Sequence, residues 1–231
     1  EAEEFVRGGA KHLIISDENV SKNRISIPVI LAQGAVQSHL TNLGIRKFVS
    51  IHVKSSECLD THYFAVLIGA GATTVNPYLT IDSIYQRFEK GLFGKLSFDE
   101  CVQRYVKAIN DGLLKIMSKM GISVISSYRG GLNFQSLGLS RSLVSEYFPG
   151  LESRISGIGI LGIENMIKKH HEKAFRENII SLPIGGIYKY RHGGETHGYQ
   201  AKTMHLLQSA VTNDSFNTYK KYSKLIHDMP P

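Results

Sequence analysis

The sequence predicts an α/β protein made of βα units on a mainly parallel sheet, with a C-terminal helical tail. Two observations carry that reading. Short apolar runs of strand length, such as Leu13-Ile14-Ile15, alternate with stretches of helical periodicity. The connections between them are too long for hairpins, which favours parallel pairing through right-handed crossovers. Four such strands suit either half of a (β/α)8 barrel or a short open sheet, and periodicity does not choose between the two.

Taken in order, residues 1–6 read as the end of a helix closed by Gly8-Gly9. Leu13 to Ile15 is a strand ending at Ser16-Asp17. Pro28 suits the first turn of a helix carried by Ile30, Leu31, Ala35, Val36 and Leu40. A strand over about 48–53, a helix over 59–68 and a brief strand over 72–75 follow. Asn76-Pro77 then leads into a helix marked by Leu79, Ile84, Tyr85 and Phe88. Ser97 with Glu100 three residues on has the spacing of a capping box and opens a long helix. Leu113, Met117 and Met120 give that helix an apolar face, and Gly121 stands where a positive φ ends it. Ile122, Val124 and Ile125 read as a fourth strand, 126–131 as a tight polar turn, and Leu132, Phe134 and Leu137 as the start of another helix. Ser140 caps a short helix through Tyr147, and 163–175 is a polar helix. The Pro- and Gly-rich stretch 181–194 reads as a boundary. Domains are therefore expected at 1–180 and 181–231, the second ending in helices over 201–211 and 216–226.

The composition is that of a soluble globular chain: 231 residues, 42% hydrophobic and 20% charged. No apolar run approaches the roughly 20 residues of a membrane span, so no membrane partner is expected. The start of the chain, Glu1-Ala2-Glu3-Glu4, is acidic where a secretory signal would be basic. Two cysteines, Cys58 and Cys101, cannot form a disulfide framework and suit a reducing cytoplasm. A net charge of +7 raises the question of nucleic acid. The densest basic stretch, Lys168 to Arg176, is interrupted by Glu172 and reads as a solvated helix face, so nucleic acid is not the expected partner.

The run Met117-Ser118-Lys119-Met120-Gly121-Ile122-Ser123, followed by Ser127-Tyr128-Arg129-Gly130 and Phe134, resembles the central domain of the glutamate synthase large chain. Further similar blocks lie in order along the chain: Leu13 to Asp17, Ile27-Pro28 to Leu40, Glu57 to Gly69, Asn76 to Leu79, Ser153 to Ile158, and Gly194 to Ala210. The resemblance implies a barrel-like α/β domain running into the first helices of a flavin-binding synthase domain. It implies a segment of glutamate biosynthesis and nitrogen metabolism that joins a glutaminase to that synthase domain and helps form the route along which ammonia travels. Its partners would be the remaining domains of the enzyme. FMN and an iron–sulphur cluster are implied only for the complete enzyme. This chain has neither the N-terminal Cys nucleophile nor the clustered cysteines those chemistries need, so it is expected to be non-catalytic and to carry no cofactor.

Among the residues themselves, the turn with Ser126, Ser127, Arg129 and Gly130 is the best candidate site. Hydroxyls, a guanidinium fork and backbone amides at a strand's carboxyl end suit a small anion. The plainer reading is an Arg that ties the turn to a neighbouring carboxylate. A free-standing small-anion-binding module is accordingly the rival function. No catalytic or metal-binding residue is expected: His39 and His62 lack companions at ligand spacing. Glu57 and Asp60 beside Cys58 would raise its thiol pKa. The apolar face of the tail is expected to fold back on the body or to join copies into a homo-oligomer.

Overall fold

The computed structural model describes residues 1–176, 183–187 and 189–229. The chain divides into two compact units, Glu1–Phe175 and Arg176–Pro231. The expected boundary at 180/181 lies outside the described residues.

The first unit opens with α1 (Ala2–Arg7), β1 (His12–Ser16) and α2 (Val29–Asn42). A single 3-10 turn, Arg46–Phe48, precedes β2 (Ser50–Lys54), and α3 (Thr61–Gly69) and β3 (Thr74–Asn76) follow. The three strands form one parallel sheet in the order β1-β2-β3, with Leu13 opposite Ile51 and Val53 opposite Val75. The alternation expected of a half-buried strand is clear in β2, where Ile51 and Val53 are buried. Ile51 packs with Leu40 and Val49, and Val53 with Phe64, Leu67 and Ala72. The opposite face of β1 leaves His12, Ile14 and Ser16 exposed.

α4 (Tyr78–Glu89) and the long α5 (Phe98–Lys119) complete this layer. The capping box is present: Glu100 N donates to the Ser97 hydroxyl at 3.2 Å and Ser97 N to the Glu100 carboxylate at 2.8 Å. Cys101, Ile109 and Met117 form the buried stripe of α5. Gly121 has φ +71, as its place at the helix end requires.

The segment after Gly121 departs from expectation. Residues 122–125 are not a strand; Val124 and Ile125 are 52% and 45% exposed, and α6 (Ile125–Tyr128) is one helical turn. Its backbone groups are drawn to α3 instead of to a sheet. Gly130 N donates to Ile68 O at 3.0 Å and Leu132 N to Gly69 O at 3.1 Å. Buried Tyr128 donates its hydroxyl to Ala65 O at 3.0 Å. Phe134 packs against Gly69, whose missing Cβ leaves room for the ring.

The expected helix beginning at Leu132 is also replaced. Gln135–Leu139 is β4, which crosses through α7 (Arg141–Tyr147) to pair in parallel with β5 (Glu152–Ile158). An added Cβ on Gly157 would stand 2.1 Å from Gly138 O, so the two glycines let the strands close together. Ser140 caps α7 through Leu143 N at 3.3 Å, as its position predicts. α8 (Ile160–Ala174) ends the unit. The fold class is therefore as expected, α/β with parallel sheets and C-terminal helices, but its strands are three plus two among the described residues.

In the second unit α9 (Ala201–Thr212) and α10 (Phe216–His227) form a helical pair, both close to their expected ranges. Ser215 caps α10, accepting from Thr218 N at 3.3 Å. Among the described residues no helix is long and apolar enough to cross a membrane.

Candidate functional site

In a parallel α/β sheet the side chains that follow each strand converge on the carboxyl edge. Here they are Asp17 after β1, Ser55, Ser56 and Glu57 after β2, and Tyr78 after β3. Asp17 is their hub. It accepts from the Ser55 hydroxyl at 2.7 Å, from Ser56 N and Ser56 Oγ at 2.9 Å, and from the Tyr78 hydroxyl at 2.9 Å. Glu57 stands at the N-terminus of α2, where Pro28 supplies no side-chain cap. Its carboxylate accepts from Val29 N at 3.3 Å and from the Tyr63 hydroxyl. The helix dipole favours a carboxylate in that place.

The two acids titrate in opposite directions. Burial works to raise the Asp17 pKa, but the hydrogen bonds from Ser55, Ser56 and Tyr78 outweigh it and hold the carboxyl below its usual value. For Glu57 burial is the larger effect and its pKa is raised despite Tyr63 and Val29. Burial, with the Glu57 carboxylate beside it, also pushes the Tyr63 phenol up. The Cys58 thiol, fully buried, is pushed up to about 12 by burial first and by Glu57 and Asp17 second. The direction is the expected one; the cause is chiefly burial, and Asp17 replaces Asp60 as the second charge. Such a thiol stays protonated at neutral pH, which makes it a poor nucleophile.

This edge holds itself together and has little left for a ligand. Its strand-to-helix turns present carboxylates, which repel a cofactor phosphate. Cys58 and Cys101 are both buried and too few for a cluster that takes four thiolates. Among the described residues, this edge therefore offers no cradle suited to an FMN phosphate. Among the described residues no group of three or more His, Cys, Asp or Glu is placed to hold a metal. His39 bonds Glu3 at 3.0 Å on the surface.

The anion turn singled out in the sequence is only partly assembled. Ser126 and Ser127 lie on the exposed side of α6, and Gly130 is held by the α3 carbonyl of Ile68. Arg129 parts from them and reaches a depression at the amino edge of the sheet, lined also by Lys11, His12, Arg46, Lys47 and Thr73. No carboxylate among the described residues ties Arg129 down, against the plainer of the two readings. The turn itself follows a helical segment and not a strand, so it does not occupy a carboxyl edge. Arg46 was not singled out from sequence. It is half-buried and donates to Gln37 Oε1 at 2.5 Å, Val49 O at 2.5 Å and Gly71 O at 2.8 Å. Burial and the neighbouring Arg129 lower its pKa.

The whole chain is 54% identical over 231 residues to the glutamate synthase [NADPH] large chain of Azospirillum brasilense. It is 38% identical over 97% of its length to that of Bacillus subtilis, and 35% identical over 99% to the chloroplastic ferredoxin-dependent glutamate synthase of Spinacia oleracea. In each case the chain spans 15% of the relative's length. The model of the glutamate synthase central domain matches residues 1–140, which take in β1 through β4 and both edges of the first sheet. The chain belongs to the glutamate synthase central domain family.

Proposed function

We propose that this chain acts as a non-catalytic central-domain segment of a glutamate synthase, joining glutaminase and FMN synthase domains and forming part of the ammonia route. Residues 1–180 are then the later part of the central domain, and 181–231 a linker with the first helices of the flavin-domain region. The other domains are its partners, a cytoplasm its setting, and the chain itself binds no flavin or cluster. The carrying observation is 54% identity along all 231 residues to a glutamate synthase large chain. The mutual satisfaction of Asp17, Ser55, Ser56 and Tyr78 supports a structural rather than a catalytic edge.

A route for ammonia needs walls that exclude water. The small and apolar helix face around 65–71 is packed against Tyr128, Phe134 and Gln37, which leaves it little open surface. A cleft of about 470 Å³ beside α2 and α8, lined by Ile27, Leu31, Ala35, Ile160, Ile163 and Ile167, fits the need better. In the intact large chain, Ala35→Phe should lower glutamine-dependent glutamate synthesis about tenfold, or 1.4 kcal/mol, while synthesis from added ammonia persists. Equal loss with both nitrogen sources would remove the cleft from the route. Homo-oligomer formation through the tail is the finer part of the proposal. Phe216 and Val211, 68% and 74% exposed, support it, and a monomer by light scattering at all concentrations would end it.

A further inference from the structure

We propose that the amino edge of the three-stranded sheet binds a multiply charged oxyanion of the phosphate class, carried by a small molecule. This rests on nothing in the ammonia-route reading. The depression there has a volume of about 390 Å³, and every charged side chain lining it is basic. Lys11 stands before β1, Arg46 and Lys47 before β2, Thr73 before β3, and Arg129 comes in from the turn after α6. Among the described residues none of the four lysine and arginine side chains is in an ion pair.

The cations are held ready. Arg46 is fixed by Gln37, Val49 and Gly71, which take three of the five N–H groups of a guanidinium and leave two. Arg129 follows buried Tyr128 and precedes Gly130, both tied to α3, so its backbone is anchored while its side chain makes no hydrogen bond among the described residues. Thr73 Oγ1 accepts from Ile51 N at 3.2 Å, which leaves its proton to donate outward. Lys47 Nζ rests over the Phe48 ring at 5.2 Å. Arg46 and Arg129 share the depression as like charges, a repulsion that a shared anion relieves.

The stoichiometry of charge selects the ligand. One carboxylate satisfies one guanidinium fork, whereas two forks and two ammonium groups match a group with several oxygens and at least two charges. The volume lies in the range of small-molecule sites and exceeds a bare phosphate, so a diphosphate or phosphate ester fits it. No covalent step is involved.

Calorimetric titration of the full chain with pyrophosphate, at low ionic strength, tests this. Inorganic phosphate and succinate serve as the smaller oxyanion and the dicarboxylate. Pyrophosphate should bind saturably at one equivalent, more tightly than phosphate, with succinate weakest. Arg129→Gln should weaken pyrophosphate about tenfold and Lys47→Gln severalfold, each losing a charge-assisted contact. Lys168→Gln, on α8 and paired with Glu164, should leave it unchanged. Coincident thermal melts would show that the variants are folded. Absence of saturable binding, equal loss in Lys168→Gln, no loss in Arg129→Gln, or succinate binding as tightly as pyrophosphate would each overturn the proposal.

Discussion

The two edges of the same three-stranded sheet have opposite chemistry. At the carboxyl edge Asp17 and Glu57 are buried or half-buried and their oxygens are taken up by hydroxyls and amides of the adjoining loops. At the amino edge Lys11, Lys47 and Arg129 stand around a depression with no counter-charge of their own among the described residues. Parallel sheets ordinarily gather ligands at the carboxyl edge. Here that edge has been closed by its own side chains, and the open electrostatics lie at the other. Position in a fold says where a site is easy to build; the state of satisfaction of the polar groups says whether one was built.

The contrast is broken most directly at Asp17. Asp17→Ala leaves the Ser55 hydroxyl, Ser56 N and the Tyr78 hydroxyl without their common acceptor, and should cost about 2–4 kcal/mol in urea denaturation. A loss below about 1 kcal/mol would mean that the carboxyl edge is not held by this network. The pH dependence sharpens the same point. Asp17 has a lowered folded pKa, so its stabilisation is present above its unfolded value and is lost as pH falls through the folded one. Glu57 works in the other sense: its raised folded pKa makes stability decline as pH rises from the unfolded value through the folded one. The acid limb of a stability–pH curve should therefore flatten in Asp17→Asn, and an unchanged limb would contradict the assignment.

Tyr63→Phe removes one donor to Glu57 and leaves Val29 N in place, so about 1 kcal/mol is expected by the same measurement. At the amino edge, Arg129→Gln and Lys47→Gln should change stability by less than about 0.5 kcal/mol. Any gain should appear at low salt, where the repulsion between Arg46 and Arg129 is least screened. A destabilisation as large as that of Asp17→Ala would erase the distinction between a closed edge and an open one.

The first sheet was legible because its signals are local. Leu13 to Ile15 is a compact apolar run, Ser97 and Glu100 cap α5 within one turn, and Gly121 closes that helix with φ +71. The second sheet was not. β4 and β5 contain Ser136, Gly138, Ser153, Ser156 and Gly157, weak strand formers that come together only through α7. Ile122 to Ile125 carries a stronger apolar signal than either, yet Tyr128 and the α3 carbonyls claim the chain just beyond it. The carboxyl-edge network was half visible. Asp17 and Glu57 each follow a predicted strand, but that Tyr78 and Ser55 meet on Asp17 depends on strand order. Arg129 was singled out within a turn of serines, but the depression it reaches is shared with Arg46 and Lys47, 83 and 82 positions earlier, which no local pattern announces.

Cys58 gives the molecule an internal clock. Its thiol is sealed where β2 runs into α3, with Thr80 donating to its carbonyl at 2.8 Å, and a pKa pushed up to about 12 keeps it un-ionised. Cys101 is buried as well. An alkylating reagent at mildly alkaline pH therefore has to wait for the protein to open, after which the thiol regains ordinary acidity and reacts. The rate of covalent labelling counts those openings one molecule at a time. Because Cys58 adjoins the Asp17 network, its count reports how often the closed edge of the sheet comes apart.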